Sequence, residues 1–325
     1  MKWYFWLNKY YIKIINSYKN GYGHNSLIIH SNFKNGKKSL CYYIIRWLMC
    51  NKPYKKQSCG SCQDCKLMIS NNHPDYYKLD FKKKIGINDI RLVNENIYNK
   101  SRQNGSKIIF LNNASLLQDK ASNALLKILE ESPQNTYFIF SCNCISKLSK
   151  TLLSRCICLN INKINEKKSL TWLKKKNTRL NEISIISALR ICSGYPLEAD
   201  ILLKNKNWIE RQNLCRLLNN ALINNDFISL LPQLILYPDN RIIYWLISFI
   251  VDAIKYSLNL KKFISNIDKL YIIKNLNKKF KYKILLYQYK MWLNFFINLN
   301  NINNINKEIL ILNILIKIEN NFFFI

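Results

Sequence analysis

The chain has 325 residues, 49% of them hydrophobic, which is ample for two or three domains with packed cores. A formal charge of +31, from 50 Lys and Arg against 19 Asp and Glu, permits a nucleic-acid partner without locating one, because Lys outnumbers Arg and recurs in stretches that carry no motif. The most apolar run, Ile242 to Val251, is too short to span a bilayer, and the start of the chain shows no sustained apolar segment, so a soluble, cytoplasmic protein with no membrane partner is expected.

Trp3 to Leu7 forms an aromatic opening, and a helical pattern continues through Tyr11, Ile15 and Tyr18 up to Gly21 and Gly23. This reads as an apolar docking segment. Ser26 to His30 is the first expected strand. A loop from Ser31 to Ser39 follows, then a helix to Cys50 with Leu40, Ile44, Trp47 and Leu48 on one face. Strand, loop and helix are the setting of a phosphate-binding loop, G-x-x-x-x-G-K-[ST], whose glycines admit phosphate, whose Lys binds it and whose hydroxyl meets Mg²⁺. Gly36 and Lys37 fit that pattern. Ser31 stands at the first glycine and Lys38 at the hydroxyl, and Ser39 is one residue late, about 100° round a helix. The loop is expected not to hold Mg-ATP productively.

Of eleven cysteines, Cys50, Cys59, Cys62 and Cys65 form a C-x8-C-x2-C-x2-C series in a polar segment. Four thiolates at this spacing can close a tetrahedron round Zn²⁺ with no open position, as structural sites do. Cys41 faces the apolar side of its helix and reads as core. His73, in His73-Pro74-Asp75, is expected to cap a turn, since four cysteines already saturate zinc. Tyr76 to Asp80 is the second expected strand, and Asn88 caps a helix carrying Ile90, Val93 and Ile97.

From Lys107 to Cys156 the pattern is strand (Ile108–Leu111), helix (Leu116 to Glu131, stopped by Pro133), strand (Tyr137–Cys142), then Ser154-Arg155-Cys156. At the end of the first of these strands an ATPase needs an acidic pair. Here the pair is Asn112 and Asn113, neutral amides that cannot act as a base. The fifth strand is expected at Cys156–Asn160, with Cys156 and Cys158 packed inside. Helices follow from about Asn165: one with Leu170, Trp172 and Leu173, a second from Ile183 to Ile191, and, after Ser193-Gly194-Tyr195-Pro196, a third from Leu197 to Leu203. From Trp208 onward the chain reads as helical throughout.

The helix ending Leu-Leu-Lys-Ile-Leu-Glu-Glu-Ser-Pro and the later Ser-Arg-Cys resemble AAA+ clamp-loader subunits. The Trp-rich start, the cysteine insertion after the first helix of the nucleotide-type domain, His73-Pro74-Asp75 and Ile305-Asn306-Lys307-Glu308 bring the resemblance closest to the delta-prime branch of the bacterial DNA polymerase III loader. It runs from Trp3 to about Glu319. The resemblance implies an α/β AAA+ domain (parallel sheet, helices on both faces) at 1–162 with the zinc knuckle at 50–65. A three-helix lid at 163–205 and a helical collar at 206–325 would follow. It makes Arg155 an arginine finger acting in trans, and puts Leu197 where active relatives carry a phosphate-touching Arg. It implies gamma/tau and delta subunits as partners in a hetero-pentamer, and a sliding clamp and primed DNA met through that complex. No ATPase activity is expected of the chain alone. Two other readings compete: a gamma/tau-like ATPase, supported only by Gly36-Lys37, and a stand-alone zinc nucleic-acid-binding protein, supported by charge and knuckle. Nucleotide binding to the isolated protein discriminates the first, and co-purification with loader subunits the second.

Overall fold

A computed structural model of the protein describes residues 1–31, 34–79, 84–98, 101, 105–236, 241–301 and 306–320. Asn32 and Phe33 of the expected phosphate loop, Asp80, Ile305 and the side chain of Val93 lie outside the described residues. The chain divides into two compact units, Met1–Lys163 and Ile164–Ile325.

The first unit runs α1 (Asn8–Lys19), β1 (Ser26–His30), α2 (Lys37–Leu48), α3 (Gln63–Ser70), β2 (Tyr76–Leu79), α4 (Ile87–Ile97), β3 (Lys107–Asn112), α5 (Asp119–Glu130), β4 (Thr136–Cys142), α6 (Lys150–Ser154) and β5 (Ile157–Asn160). The strands form one sheet in the order β2-β3-β4-β1-β5, and each adjacent pair is parallel. The sequence dictates this. β1, β3 and most of β4 are unbroken buried runs, as parallel strands covered on both faces must be. Phe138 and Phe140 on β4 and Ile109 and Leu111 on β3 join Ala121, Leu125 and Ile128 of α5 in one core. The strands β1, β3 and β4 end at His30, Asn112 and Cys142, with His30 paired to Cys142 and Asn112 to Ser141, at the carboxyl edge where ligands of open α/β sheets bind. The parallel α/β sheet domain expected from the sequence is the one found.

Three local expectations need correction. The helix at 87–97 is capped at Gly86, not Asn88, because Asp89 reaches back and its Oδ2 accepts the Gly86 N–H at 2.9 Å. The helix expected from Leu116 begins only at Asp119. Asn113 turns into the left-handed region (φ 72°), 114–116 make a 3₁₀ turn, and Leu117 is extended beside Ile85. The fifth strand begins at Ile157, and Cys158 is exposed, because β5 is an edge strand that pairs only with β1.

The second unit is helical in its described residues: α7 (Glu166–Lys176), α8 (Glu182–Ile191), α9 (Pro196–Leu202), α10 (Asn205–Asn224), α11 (Leu231–Ile235), α12 (Arg241–Ser257), α13 (Leu270–Lys279), α14 (Tyr282–Asn301) and α15 (Lys307–Asn320). Buried apolar residues from Leu173 to Ile318 form one cluster across it. Hydrogen bonds cross between its early and late parts: Arg190 Nη1 donates to the Ile264 carbonyl at 2.9 Å, and the Asp268 N–H to Ser187 Oγ at 3.0 Å. No helix among the described residues is long and apolar enough to cross a membrane.

Candidate metal centre and the closed phosphate loop

The knuckle is assembled from the end of α2 and the start of α3. Cys50 follows Met49, the C-cap of α2, and Cys62 is the N-cap of α3. The Sγ atoms of Cys50 and Cys59 lie 3.5 Å apart, those of Cys50 and Cys62 and of Cys59 and Cys65 3.9 Å apart, and all four lie within 4.8 Å of one another. A tetrahedron with Zn–S bonds of ~2.3 Å has an edge of about 3.8 Å, so the donor set fits the ion in type, number and spacing. The backbone supports thiolates here. The N–H groups of Cys59, Cys62 and Cys65 donate to the sulfurs of Cys50, Cys59 and Cys62 at 3.3, 3.3 and 3.4 Å. Those donors, from Cys62 first and Ser61 next, pull the Cys59 thiol down to about 6, while burial pushes Cys65 up to about 12 and also raises Cys50. A dication in the centre would favour all four thiolates.

Behind the knuckle lies a support that joins it to the sheet. Asp64 is buried between Cys62 and Cys65 and takes hydrogen bonds from Asn51 and from His73 Nε2, the latter at 3.2 Å. The Asp75 N–H donates to His73 Nδ1 at 3.1 Å, so Nδ1 is the acceptor and the ring proton sits on Nε2, facing Asp64. His73 therefore serves in a turn, as expected from the sequence. The Asp75 carbonyl then accepts the Ile108 N–H of β3 at 3.0 Å.

Gly36 and Lys37 do stand between β1 and α2. Gly36 is left-handed (φ 83°), and a Cβ there would come within 2.8 Å of the Tyr4 ring. Trp6 is buried and its Nε1 donates to the Asn35 carbonyl at 3.0 Å, so the aromatic start of the chain docks on this loop. The Lys37 ammonium donates to the carbonyls of Ser31 at 2.7 Å and Cys142 at 3.0 Å, and to Asn143 Oδ1. An ammonium has three donors, and these acceptors use them. Burial lowers its pKa from the lysine value of 10.5 to about 8. At the end of β3, Asn112 Oδ1 accepts from Ser141 Oγ at 3.1 Å, and the Asn113 N–H donates to the same Oγ at 3.0 Å. The carboxyl ends of β1, β3 and β4 thus carry His30-Ser31, Asn112-Asn113 and Cys142-Asn143, with no carboxylate. Among the described residues here, the Lys37 donors are taken up by protein oxygens and no carboxylate stands at these strand ends to hold Mg²⁺. Ser141 and Asn143 were not singled out in the sequence, because nothing local marks a residue whose partner is brought up by another strand.

Arg155 is the C-cap of α6. Its Nε and Nη2 pair with Glu130, the last residue of α5, and Nη1 donates to the Thr151 carbonyl at 3.2 Å. Both partners are open to solvent, with side-chain exposures of 38% for Arg155 and 50% for Glu130. Leu197 lies on α9 in the second unit and is half-buried.

The family model described as "DNA polymerase III, delta subunit" matches residues 6–165, and the one described as "DNA polymerase III, delta subunit, C terminal" matches residues 205–320. The DNA polymerase III subunit delta' of Yersinia pestis is 37% identical over 283 residues, 85% of this chain and 83% of its own length. That of Buchnera aphidicola subsp. Schizaphis graminum is 36% identical over 96% of this chain and 95% of its own. That of Escherichia coli K12 is 35% identical over 78% of this chain and 77% of its own.

Proposed function

The chain belongs to the DNA polymerase III delta-prime subunit family, and from that premise we propose that it acts in a clamp loader as a subunit that does not hydrolyse ATP. Its partners in this reading are gamma/tau and delta subunits in a hetero-pentamer, working in the cytoplasm on a sliding clamp and primed DNA. The observation that carries the non-hydrolysing role is the engagement of Lys37 by Ser31, Cys142 and Asn143. A lysine that polarises phosphate must have free donors, and a base must stand near the attacking water; Asn112 and Asn113 supply none. The zinc is structural, held by Cys50, Cys59, Cys62 and Cys65. Residues 163–205 act as the lid and 206–325 as the collar.

Arg155 is the one residue that gives this subunit a part in chemistry, and it acts on a neighbour's ATP. Guanidinium is planar, always charged and able to bond two oxygens, which suits charge spreading over a transferred phosphoryl group. Its accessible, forked pairing with Glu130 supports the assignment, because a phosphate can replace that carboxylate without moving the backbone. In an assembled loader Arg155→Ala should leave assembly intact and slow single-site turnover at one neighbouring ATP by about 10³–10⁵. Arg155→Lys should restore little. A complex with Arg155→Ala that loads clamps at the unmodified rate would return Arg155 to the surface. Steady phosphate release from the isolated chain, abolished by Lys37→Ala, would instead overturn the non-hydrolysing role.

A further inference from the structure

A cavity of about 550 Å³ lies beside the knuckle, where the start of the chain, α1, the second half of α2 and the loop leading to Cys59 meet. Its walls carry three aromatic rings and two cations. Trp3 sits edge-on to Tyr11 (5.3 Å, 76°) and to Tyr43 (4.8 Å, 77°). Arg46 comes from α2 and Lys56 from the loop. Among the described residues neither cation has an ion-pair partner, the lining contains no carboxylate, and Arg46 Nε is buried without a hydrogen bond. The loop wall is fixed by structure of its own. Tyr54 and Gln57 exchange backbone hydrogen bonds at 3.0 and 2.9 Å, and Tyr11 Oη donates to the Lys56 carbonyl at 2.7 Å.

Arg46 also lies over the Tyr42 ring, 5.7 Å from its centroid, but a ring face does not neutralise it. Two cations without a carboxylate in a partly enclosed site attract an anion, and Arg offers it a fork. Clustered rings offer stacking and edge contacts to a flat π-system. The volume falls within the ~300–1,000 Å³ typical of small-ligand sites. An acidic peptide would use the cations and leave the rings without a flat partner; a nucleotide uses both. We propose that this cavity binds one nucleotide, free or within a single strand, with its base against Trp3, Tyr11 and Tyr43 and its phosphate on Arg46 and Lys56. Ser58 and Gln57 line the same wall and offer polar groups to the base edge. Lys56 and Ser58 belong to the loop closed by Cys50 and Cys59, so zinc would hold one wall of the site in place.

The test uses the full zinc-loaded chain, with dTMP, a fluorescent oligo-dT and an oligoglutamate peptide as probes. Oligo-dT should bind saturably and quench tryptophan fluorescence, and the quench should disappear in Trp3→Phe. Arg46→Gln with Lys56→Gln should weaken binding at least about tenfold and lower the salt slope by roughly 0.7 for each phosphate no longer neutralised. Lys56→Gln alone, a change at a part-exposed loop position, serves where the double variant does not fold. Quenching by dTMP as well as by oligo-dT assigns the site to any nucleotide, and quenching by oligo-dT alone assigns it to a strand. Binding unchanged in Trp3→Phe and in both charge variants would trace the affinity to the general basic surface and overturn the proposal. So would displacement of oligo-dT by oligoglutamate at equal concentration, or the absence of any quench.

Discussion

Lys37 faces only neutral oxygens, and burial rather than a neighbouring charge sets its pKa of about 8. A folded pKa below the unfolded 10.5 means that the native state releases this proton more readily. The contribution is therefore fully present above 10.5 and is lost as pH falls through about 8. Urea unfolding of wild type and Lys37→Met at about pH 7.5 and about pH 9.5 should show the wild type gaining on the variant as pH rises. The gain falls well short of the ~1.4 kcal/mol per pKa unit of a fully buried group, because solvent screens this ammonium in part. A difference independent of pH would mean that Lys37 is not held in this way. The sequence disclosed the missing loop residues at Ser31 and Lys38, because a motif is a matter of spacing. It did not disclose where the Lys37 ammonium goes. Cys142 and Asn143 become its neighbours only through the pairing of β1 with β4.

At the scale of elements, the knuckle was legible because its four ligands fall within sixteen positions of chain (50–65). Its anchorage on the sheet was not, since His73 read locally as a turn cap and nothing in the sequence joined it to Asp64, nine residues earlier, or to β3. Cys59→Ser should reduce zinc from one ion per chain to a trace. Hydrogen exchange should then quicken in α3 and the loop before Cys59, while amides of β1 and β4 stay protected, because the sheet has its own core. Elemental analysis of the wild type finding only traces of zinc would remove the site. The misplaced helix starts have a common cause. Apolar spacing locates a helix but not its first turn, which is decided by a side chain such as Asp89 or by a left-handed residue such as Asn113.

At the scale of the molecule, the helical half hides a polar cluster that hydrophobic patterning could not reveal. Arg211 is fully buried. It forks onto Asp268 at 2.7 and 2.9 Å, donates to Asn266 Oδ1 at 2.8 Å, and lies over the rings of Trp208 and Phe249 at 4.8 and 5.8 Å. Arg211→Ala leaves Asp268 charged and unpaired, and should cost about 3–5 kcal/mol in chemical unfolding. Replacing both by apolar residues of similar volume should recover most of that loss; equal damage from the double change would show that packing, not charge, is what Arg211 supplies. The one core of this half also reaches to Ile311, Ile314, Leu315 and Ile318 on α15, and Glu319 accepts the Ile228 N–H at 2.9 Å. This sets an order of events during synthesis. The sheet of the first unit is complete at Asn160, whereas the second core cannot close before Ile318 has been made. At about 5–20 residues per second the interval is roughly 8–30 s. Within that time the apolar face of α11 waits for its last helix from residue 235 onward and that of α14 from residue 301 onward, so a nascent-chain chaperone would find its substrate in the second unit while the first is already folded.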